Sequence, residues 1–370
     1  MNNIIDLDSQ PLIATWETCV SSVGCRDQNF RPASTKLELN DNEAEQLIRD
    51  VAELKPPVFV FAGDDPLSRD GIFSLVQYAA SCNLHPVMLL TPASVVTQQT
   101  IADLKSASLS RIAFTLNGAD SRRHDVISGI PGSFARTLQA IKWANERRLP
   151  VQIHTEIGRR NLAELTAMEA LLQRYRITLW SVSFPVPGPD DSLKNLPSAT
   201  EFEEAFQAIY MLAQKVPFKV KTIEAQHYRR YVLQQRTRSR SLAAENSALA
   251  PFSETGIPGV LPINEGMASI YITHNGDVLA SKFLQVPAGN VRRDSLAHLY
   301  RNAPIFQSLR NPENLKGKCG TCEYKDMCGG SRSRAWALSG DMFSQEESCV
   351  YQPMPVRRMM EQLQTEDIAS

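Results

Sequence analysis

Short apolar runs bounded by turn residues alternate with stretches of helical periodicity through the first two thirds of the chain. That rhythm restricts the fold more than any other feature. The runs Leu12–Trp16, Val58–Ala62, Pro86–Leu90, Arg111–Leu116, Val151–Thr155, Leu179–Phe184 and Phe218–Ile223 predict strands. In Asn42–Leu54, the residues Ala44, Leu47, Ile48, Val51 and Leu54 share one helical face. Ser133–Arg148, Asn161–Tyr175, Glu201–Gln214 and the region near Gln226–Gln235 repeat the pattern. Repeated βα units give a parallel sheet covered by helices. Six or seven of them fit a partial or complete β/α barrel, with a doubly wound open sheet as the alternative. In a barrel, chemistry gathers at the C-terminal strand ends. Those ends carry Glu17-Thr18-Cys19, Gly63-Asp64-Asp65-Pro66, Asn117-Gly118 and His154-Thr155-Glu156.

Charge excludes some partners. The 39 Lys and Arg against 40 Asp and Glu leave a net charge of −1 over 370 residues. No global basic field exists to hold nucleic acid or an anionic membrane. The hydrophobic share of 43% and charged share of 21% suit a folded chain and argue against wholesale disorder. The first ten residues hold two acids and no base, unlike a secretory signal. No apolar run approaches the ~18 residues of a membrane span. The expected compartment is the cytoplasm.

Beyond residue 237 the pattern breaks. Arg236, Arg238 and Arg240 alternate with polar residues, and Ala, Ser, Pro and Gly follow as far as Pro262. This composition predicts a linker over 238–262, between a barrel over 1–237 and a second unit over 263–370. The second unit opens with runs at Ser269–Thr273 and Asp277–Ala280. His274-Asn275-Gly276 joins them, a hairpin signal.

Seven cysteines are few for a disulfide scaffold of this length. Four of them, Cys319, Cys322, Cys328 and Cys349, crowd into the C-terminal part. In a reducing compartment this points to metal before disulfides. Four thiolates satisfy a structural zinc ion or a cubane iron–sulfur cluster equally well on spacing alone. Gly329-Gly330 lets the backbone pass close to such a group and donate to its sulfurs.

The segment from Cys319 through Cys322 and Cys328-Gly329-Gly330 to Arg334, then Ser339-Gly340-Asp341 and Cys349, resembles the SPASM/twitch cluster domain of radical SAM proteins. The family pattern is CxxCxxxxxCGGxRARA…TGD…C. Asp120–Ala140, Lys221–Arg230 and Ala288–Arg293 resemble later landmarks of the subgroup linked to haem and peptide modification. The resemblance implies an α/β fold: a partial (β/α)6 TIM-like barrel followed by a small cysteine-rich SPASM/twitch-like α+β domain. It also implies one [4Fe–4S] cluster on Cys319, Cys322, Cys328 and Cys349, which favours iron–sulfur over zinc.

Radical SAM enzymes need CxxxCxxC after the first strand, three thiolates leaving one iron open to S-adenosylmethionine. Counting from Trp16-Glu17 by the family spacing, those positions hold Ser22, Arg26 and Asn29. Arginine carries a fixed positive charge and no lone pair for iron. Cys19 and Cys25 are nearby but six apart, and Cys82 follows a helix, away from the strand-end chemistry. The family's glycine-rich turn reads Gly63-Asp64-Asp65-Pro66, with Asp64 replacing a glycine. Its SLDG reads Thr115-Leu116-Asn117-Gly118, with Asn117 replacing an acid. Together these losses predict a vestigial cofactor site at Gly63, Asp64, Asp65, Pro66 and Asn117, where S-adenosylmethionine binds without being cleaved or does not bind. Glu224, His227 and Arg229, after the last barrel strand, are substrate-binding candidates. The expected role is a non-radical binding or partner subunit, beside an intact radical SAM relative or with a peptide or small-molecule substrate. The alternatives are an active radical SAM oxidoreductase ligated through Cys19 and Cys25, and a non-radical enzyme reusing the barrel mouth.

Overall fold

The computed structural model describes residues 6–20, 38–188, 191–242 and 266–354. Ser22, Cys25, Arg26 and Asn29 lie outside the described residues. Seven strands alternate with helices as the rhythm requires: β1 (Ile13–Glu17), α1 (Asp41–Leu54), β2 (Val58–Ala62), α2 (Ile72–Ser81), β3 (Pro86–Leu90), α3 (Gln98–Ser106), β4 (Arg111–Thr115), α4 (Ser121–Ser128), α5 (Ser133–Glu146), β5 (Val151–Glu156), α6 (Leu165–Leu172), β6 (Leu179–Ser183), α7 (Ala199–Ala213), β7 (Lys219–Ile223) and α8 (His227–Leu242). Helix starts are fixed locally. Asn40 caps α1 in a reciprocal box with Glu43, and Ser198 caps α7 with Glu201.

Strands β1 to β7 lie side by side in chain order, every pair parallel. A doubly wound sheet reverses its strand order, so that alternative is excluded. With all crossovers running one way, the helices cover one face. On that face Ala14, Trp16, Phe59, Phe61, Ile112, Phe114, Ile153, Trp180 and Val182 are buried in one apolar core with Leu47, Val51, Val76, Ile101, Leu104 and Ile141 from the helices. The alternate residues face the concave side of a half-barrel. The sheet does not close; β7 is its free edge.

The other edge is extended by the C-terminal part. Strand β8 (Ser269–Ile272) pairs parallel with β1, from Ile13 opposite Ser269 to Trp16 opposite Ile272. The predicted hairpin then adds antiparallel β9 (Asp277–Leu279) and β10 (Gly289–Asn290). Helices α9 (Leu296–Asn302) and α10 (Pro304–Arg310) bury Tyr300 and Phe306 against the same core. Short α11 (Gly317–Gly320) and α12 (Arg332–Ser339) frame the cysteine segment.

Two expectations are corrected. The helix read over Asn161–Tyr175 is a 3-10 turn at Leu162–Glu164 followed by α6, because the Asn161 amide is committed elsewhere: it donates to the carbonyls of Asn117 and Glu156, both within 2.9 Å, and accepts from Gly158 N–H. The linker read from 238 starts late, since α8 runs to Leu242; its Gln, Arg and Leu residues favour helix without needing a packed face. Residues 243–265 lie outside the described residues.

Candidate functional site

Cys319, Cys322, Cys328 and Cys349 line one small cavity. All four are free thiols. Among the described residues, no three His, Cys, Asp or Glu side chains are grouped tightly enough for a single ion; the cysteines ring a space instead. Two turns and α11 bring them there. The loop before α12 is folded by Gly330, at φ +67°, where a Cβ would meet the Glu346 side chain at 2.7 Å. Its N–H donates to Cys328 Sγ at 3.4 Å, and Glu346 N–H donates to Cys319 Sγ at 3.3 Å. Burial pushes all four thiols up, Cys322 to about 11. Cations oppose this: Arg332 and Lys318 at Cys319, Arg230 and Lys318 at Cys349, and Arg229 at Cys328. The donor set therefore fits a thiolate-bound, net-negative group, with amide donors and positive charge around it.

The cavity's back wall belongs to the half-barrel. Glu224, His227 and Arg229 are all buried. Glu224, at positive φ, accepts from Ser331 Oγ at 2.7 Å. His227 packs between Phe202 and Phe206 and lines the cavity, its imidazole pushed down to about 3 mainly by burial. Arg229 donates to the Met327 carbonyl at 3.1 Å. His227 thus lines the cysteine cavity, while Glu224 and Arg229 bond to the segment that carries the cysteines. Arg230, next along α8, grips the Glu203 carboxylate through two bonds of 2.8 and 2.6 Å and stacks over Tyr351. Sequence reasoning met Arg230 beside the His227 candidates and Arg332 and Arg334 as the arginines of the motif after Cys328, without assigning any of the three a role at the cysteines.

The strand-end residues form a second assembly. Gly63 is held at φ +135°, where a Cβ would come within 2.6 Å of the Cys19 carbonyl. Cys19 is buried, its thiol donates to the Asp65 carbonyl at 3.1 Å, and burial raises its pKa. The Asp65 carboxylate accepts from Ser94 Oγ at 2.7 Å and Leu67 N–H at 3.3 Å, opening a 3-10 turn at Pro66. The Asp64 carbonyl accepts from Thr91 Oγ1 at 2.7 Å. Asn117 Oδ1 accepts from Glu156 N–H at 2.9 Å, and Asn117 N–H donates to His124 Nδ1 at 3.0 Å. Gly63 to Pro66 and Asn117 therefore stand at the C-terminal ends of β2 and β4, with β3 between them. Cys82 ends α2, before β3, away from these ends.

A one-way parallel half-barrel with a glycine-containing turn at a strand end and a four-cysteine cavity behind it defines a β/α half-barrel protein with a candidate metal centre. The family description "Radical SAM superfamily" matches residues 28–171. The AdoMet-dependent heme synthase of Methanosarcina barkeri is 31% identical over 355 residues, covering 95% of this chain and 99% of its own length. The PqqA peptide cyclase of Bradyrhizobium diazoefficiens is 22% identical, covering 86% and 79%. Among solved structures, Streptococcus suis SuiB bound to S-adenosylmethionine superposes with a TM-score of 0.68 at 14% identity, over 93% of this chain and 76% of that one. The chain belongs to the radical SAM superfamily, with relatives of the SPASM type. Membership implies iron–sulfur chemistry and S-adenosylmethionine binding. No helix among the described residues is long and apolar enough to cross a membrane.

Proposed function

We propose that this chain holds one [4Fe–4S] cluster on Cys319, Cys322, Cys328 and Cys349 and does not cleave S-adenosylmethionine. It acts as a binding or partner subunit in a modification or biosynthetic pathway. One observation carries the reading: where the superfamily's three SAM-cluster cysteines fall by count, the chain has Ser22, Arg26 and Asn29. A site-differentiated cubane needs soft anionic ligands, and an arginine in the middle of the set repels both iron and the substrate sulfonium. The setting of Cys19 supports this. Its thiol is buried, bonded to the Asp65 carbonyl and packed under Gly63, an arrangement suited to a structural cysteine. Ser22, Arg26 and Asn29 do not fit a second cluster.

The retained cavity, its cationic surroundings and its amide donors support a cluster at the C-terminal end. There the four thiols would ligate iron, and the cluster would supply redox capacity and local rigidity. Arg230, Lys318 and Arg332 would offset its negative charge. The relatives' names, heme synthase and peptide cyclase, offer a tetrapyrrole and a peptide as ligand classes for the half-barrel.

Anaerobic reconstitution with iron, sulfide and zinc analysis tests the metal. One iron–sulfur cluster per chain, lost on Cys322→Ala, is expected; stoichiometric zinc without iron contradicts it. The decisive assay is 5′-deoxyadenosine formation with a strong reductant. Turnover above a no-protein control that disappears in Cys19→Ala or Cys25→Ala establishes the active alternative instead.

A further inference from the structure

His227 is the first residue of α8. It is 1% exposed and lines the same small cavity as Cys319, Cys322, Cys328 and Cys349. Phe202 and Phe206 hold the ring, with centroids 5.1 and 4.7 Å away. The Ser348 backbone, one residue before Cys349, bears on the imidazole without meeting hydrogen-bond geometry. Neither Nδ1 nor Nε2 has a hydrogen-bond partner among the described residues.

An imidazole carries at least one N–H in every tautomer, and a buried donor left unpaired is costly. The neighbours have no acceptor to spare. Arg230 and Arg334 only donate. The Glu346 carboxylate, also on the cavity wall, already takes the N–H groups of Ser331 and Ser348 and the Arg334 guanidinium. Phe202 and Phe206 offer rings alone. The partner of the His227 N–H therefore belongs inside the cavity, where the acceptors are sulfurs: the four thiolates and, in a cubane, its sulfides. The start of the 16-residue α8 at this wall adds the positive end of a helix dipole, which suits an anionic group.

We propose that His227 donates a ring N–H to a sulfur of the iron–sulfur cluster and thereby raises the cluster's reduction potential. This rests on the reading of the cavity as a cluster site, and it moves His227 from substrate binding to cluster tuning. An added electron makes the sulfurs more negative, so a donor aimed at them stabilises the reduced form more than the oxidised one. The proton stays on the ring throughout. His227 adds a side-chain donor to the backbone amides of Gly330 at Cys328 and Glu346 at Cys319.

The test is a redox titration followed by electron paramagnetic resonance, on full-length protein reconstituted anaerobically and matched for iron and sulfide content. His227→Leu removes the donor, and His227→Gln keeps an N–H. The Leu variant is expected to hold the added electron about ten-fold more weakly, the scale of one hydrogen bond. That is a fall of about 59 mV for a one-electron couple. The Gln variant should recover most of it. An unchanged potential in the Leu variant, or a Gln variant as low as the Leu variant, overturns the proposal. A second measurement needs no substitution, should the variants load poorly. Pulsed resonance of the reduced protein carrying nitrogen-15-labelled histidine should show a weak nitrogen coupling, of the size a hydrogen bond transmits. No coupling, or the strong coupling of a nitrogen bound directly to iron, overturns the proposal. Iron and sulfide analysis separates the two kinds of failure. Zinc without iron in the unsubstituted protein defeats the cluster reading and this proposal together, whereas a full cluster complement with an unchanged potential defeats this proposal alone.

Discussion

Arg334 and Glu346 form an ion pair of 2.8 Å with side chains 0% and 1% exposed. Arg334 also donates to the carbonyls of Pro185 and Glu224 and lies over the Phe202 ring. Glu346 accepts from the N–H groups of Ser331 and Ser348, and its own N–H donates to Cys319 Sγ. One buried pair therefore ties the half-barrel's last strand end to the wall of the cysteine cavity.

Removing one partner strands the other. Arg334→Met is expected to cost about 3–5 kcal/mol, because Glu346 loses its counter-charge in a dry site. Arg334→Met with Glu346→Leu should recover part of this. The recovery stays incomplete, since the carbonyls of Pro185 and Glu224 still lose their donor. Urea denaturation of the two single variants and the double variant checks the coupling; additive losses would show that the pair does not act as a unit.

Gly63→Ala should destabilise the chain by roughly 2 kcal/mol or more. The new Cβ meets the backbone oxygen of Cys19 at 2.6 Å and sits at a φ that side chains avoid. Cys19→Ser removes no such constraint and should cost less. Thermal melts of both variants decide, and an unchanged midpoint for Gly63→Ala counts against the packing argument.

Glu17 anchors β1 to the hairpin, with Oε2 2.8 Å from His274 Nδ1 and Oε1 accepting from Tyr271 at 3.2 Å. Burial alone would raise its pKa, but the His274 side chain and N–H, its charge and Tyr271 together hold it below the ordinary value. A depressed carboxylate pKa contributes stability that is present above the unfolded value of ~4.3 and lost as pH falls through the folded one. Glu17→Gln should therefore flatten the acid limb of the stability curve below about pH 5 and leave its slope near neutrality unchanged. A parallel acid limb in the variant refutes this.

Chelation of the cluster should loosen the cysteine segment and spare what precedes it. Strand β8 is built into the sheet beside β1, and Tyr300 Oη donates to the carbonyls of Leu7 and Met267 at 2.7 and 3.1 Å. Residues 317–354 pack Trp336, Met342 and Phe343 against the core, but the turns that carry Cys319, Cys322 and Cys328 would depend on the proposed metal. Limited proteolysis after chelation should cut first within 317–354. Equal cutting within 269–310 would contradict it.

The sequence alone determined the parallel βα architecture, the hairpin at His274-Asn275-Gly276 and the candidate cysteine set. Each is written in neighbouring residues: helix and strand periods repeat every few positions, an Asn-Gly turn is local, and metal-ligand spacing is short. Only the tertiary structure decided where Glu224, His227 and Arg229 belong. They lie behind the cysteines because β7 leads α8 past the C-terminal segment, which a count along the chain does not contain. The same holds for Glu17 with His274, 257 residues apart, and for Ser331 with Glu224, 107 apart. Thr115, His154, Ser181 and Lys221 share one row because four parallel strands hold their register, and that level is set by backbone pairing across strands rather than by residue type.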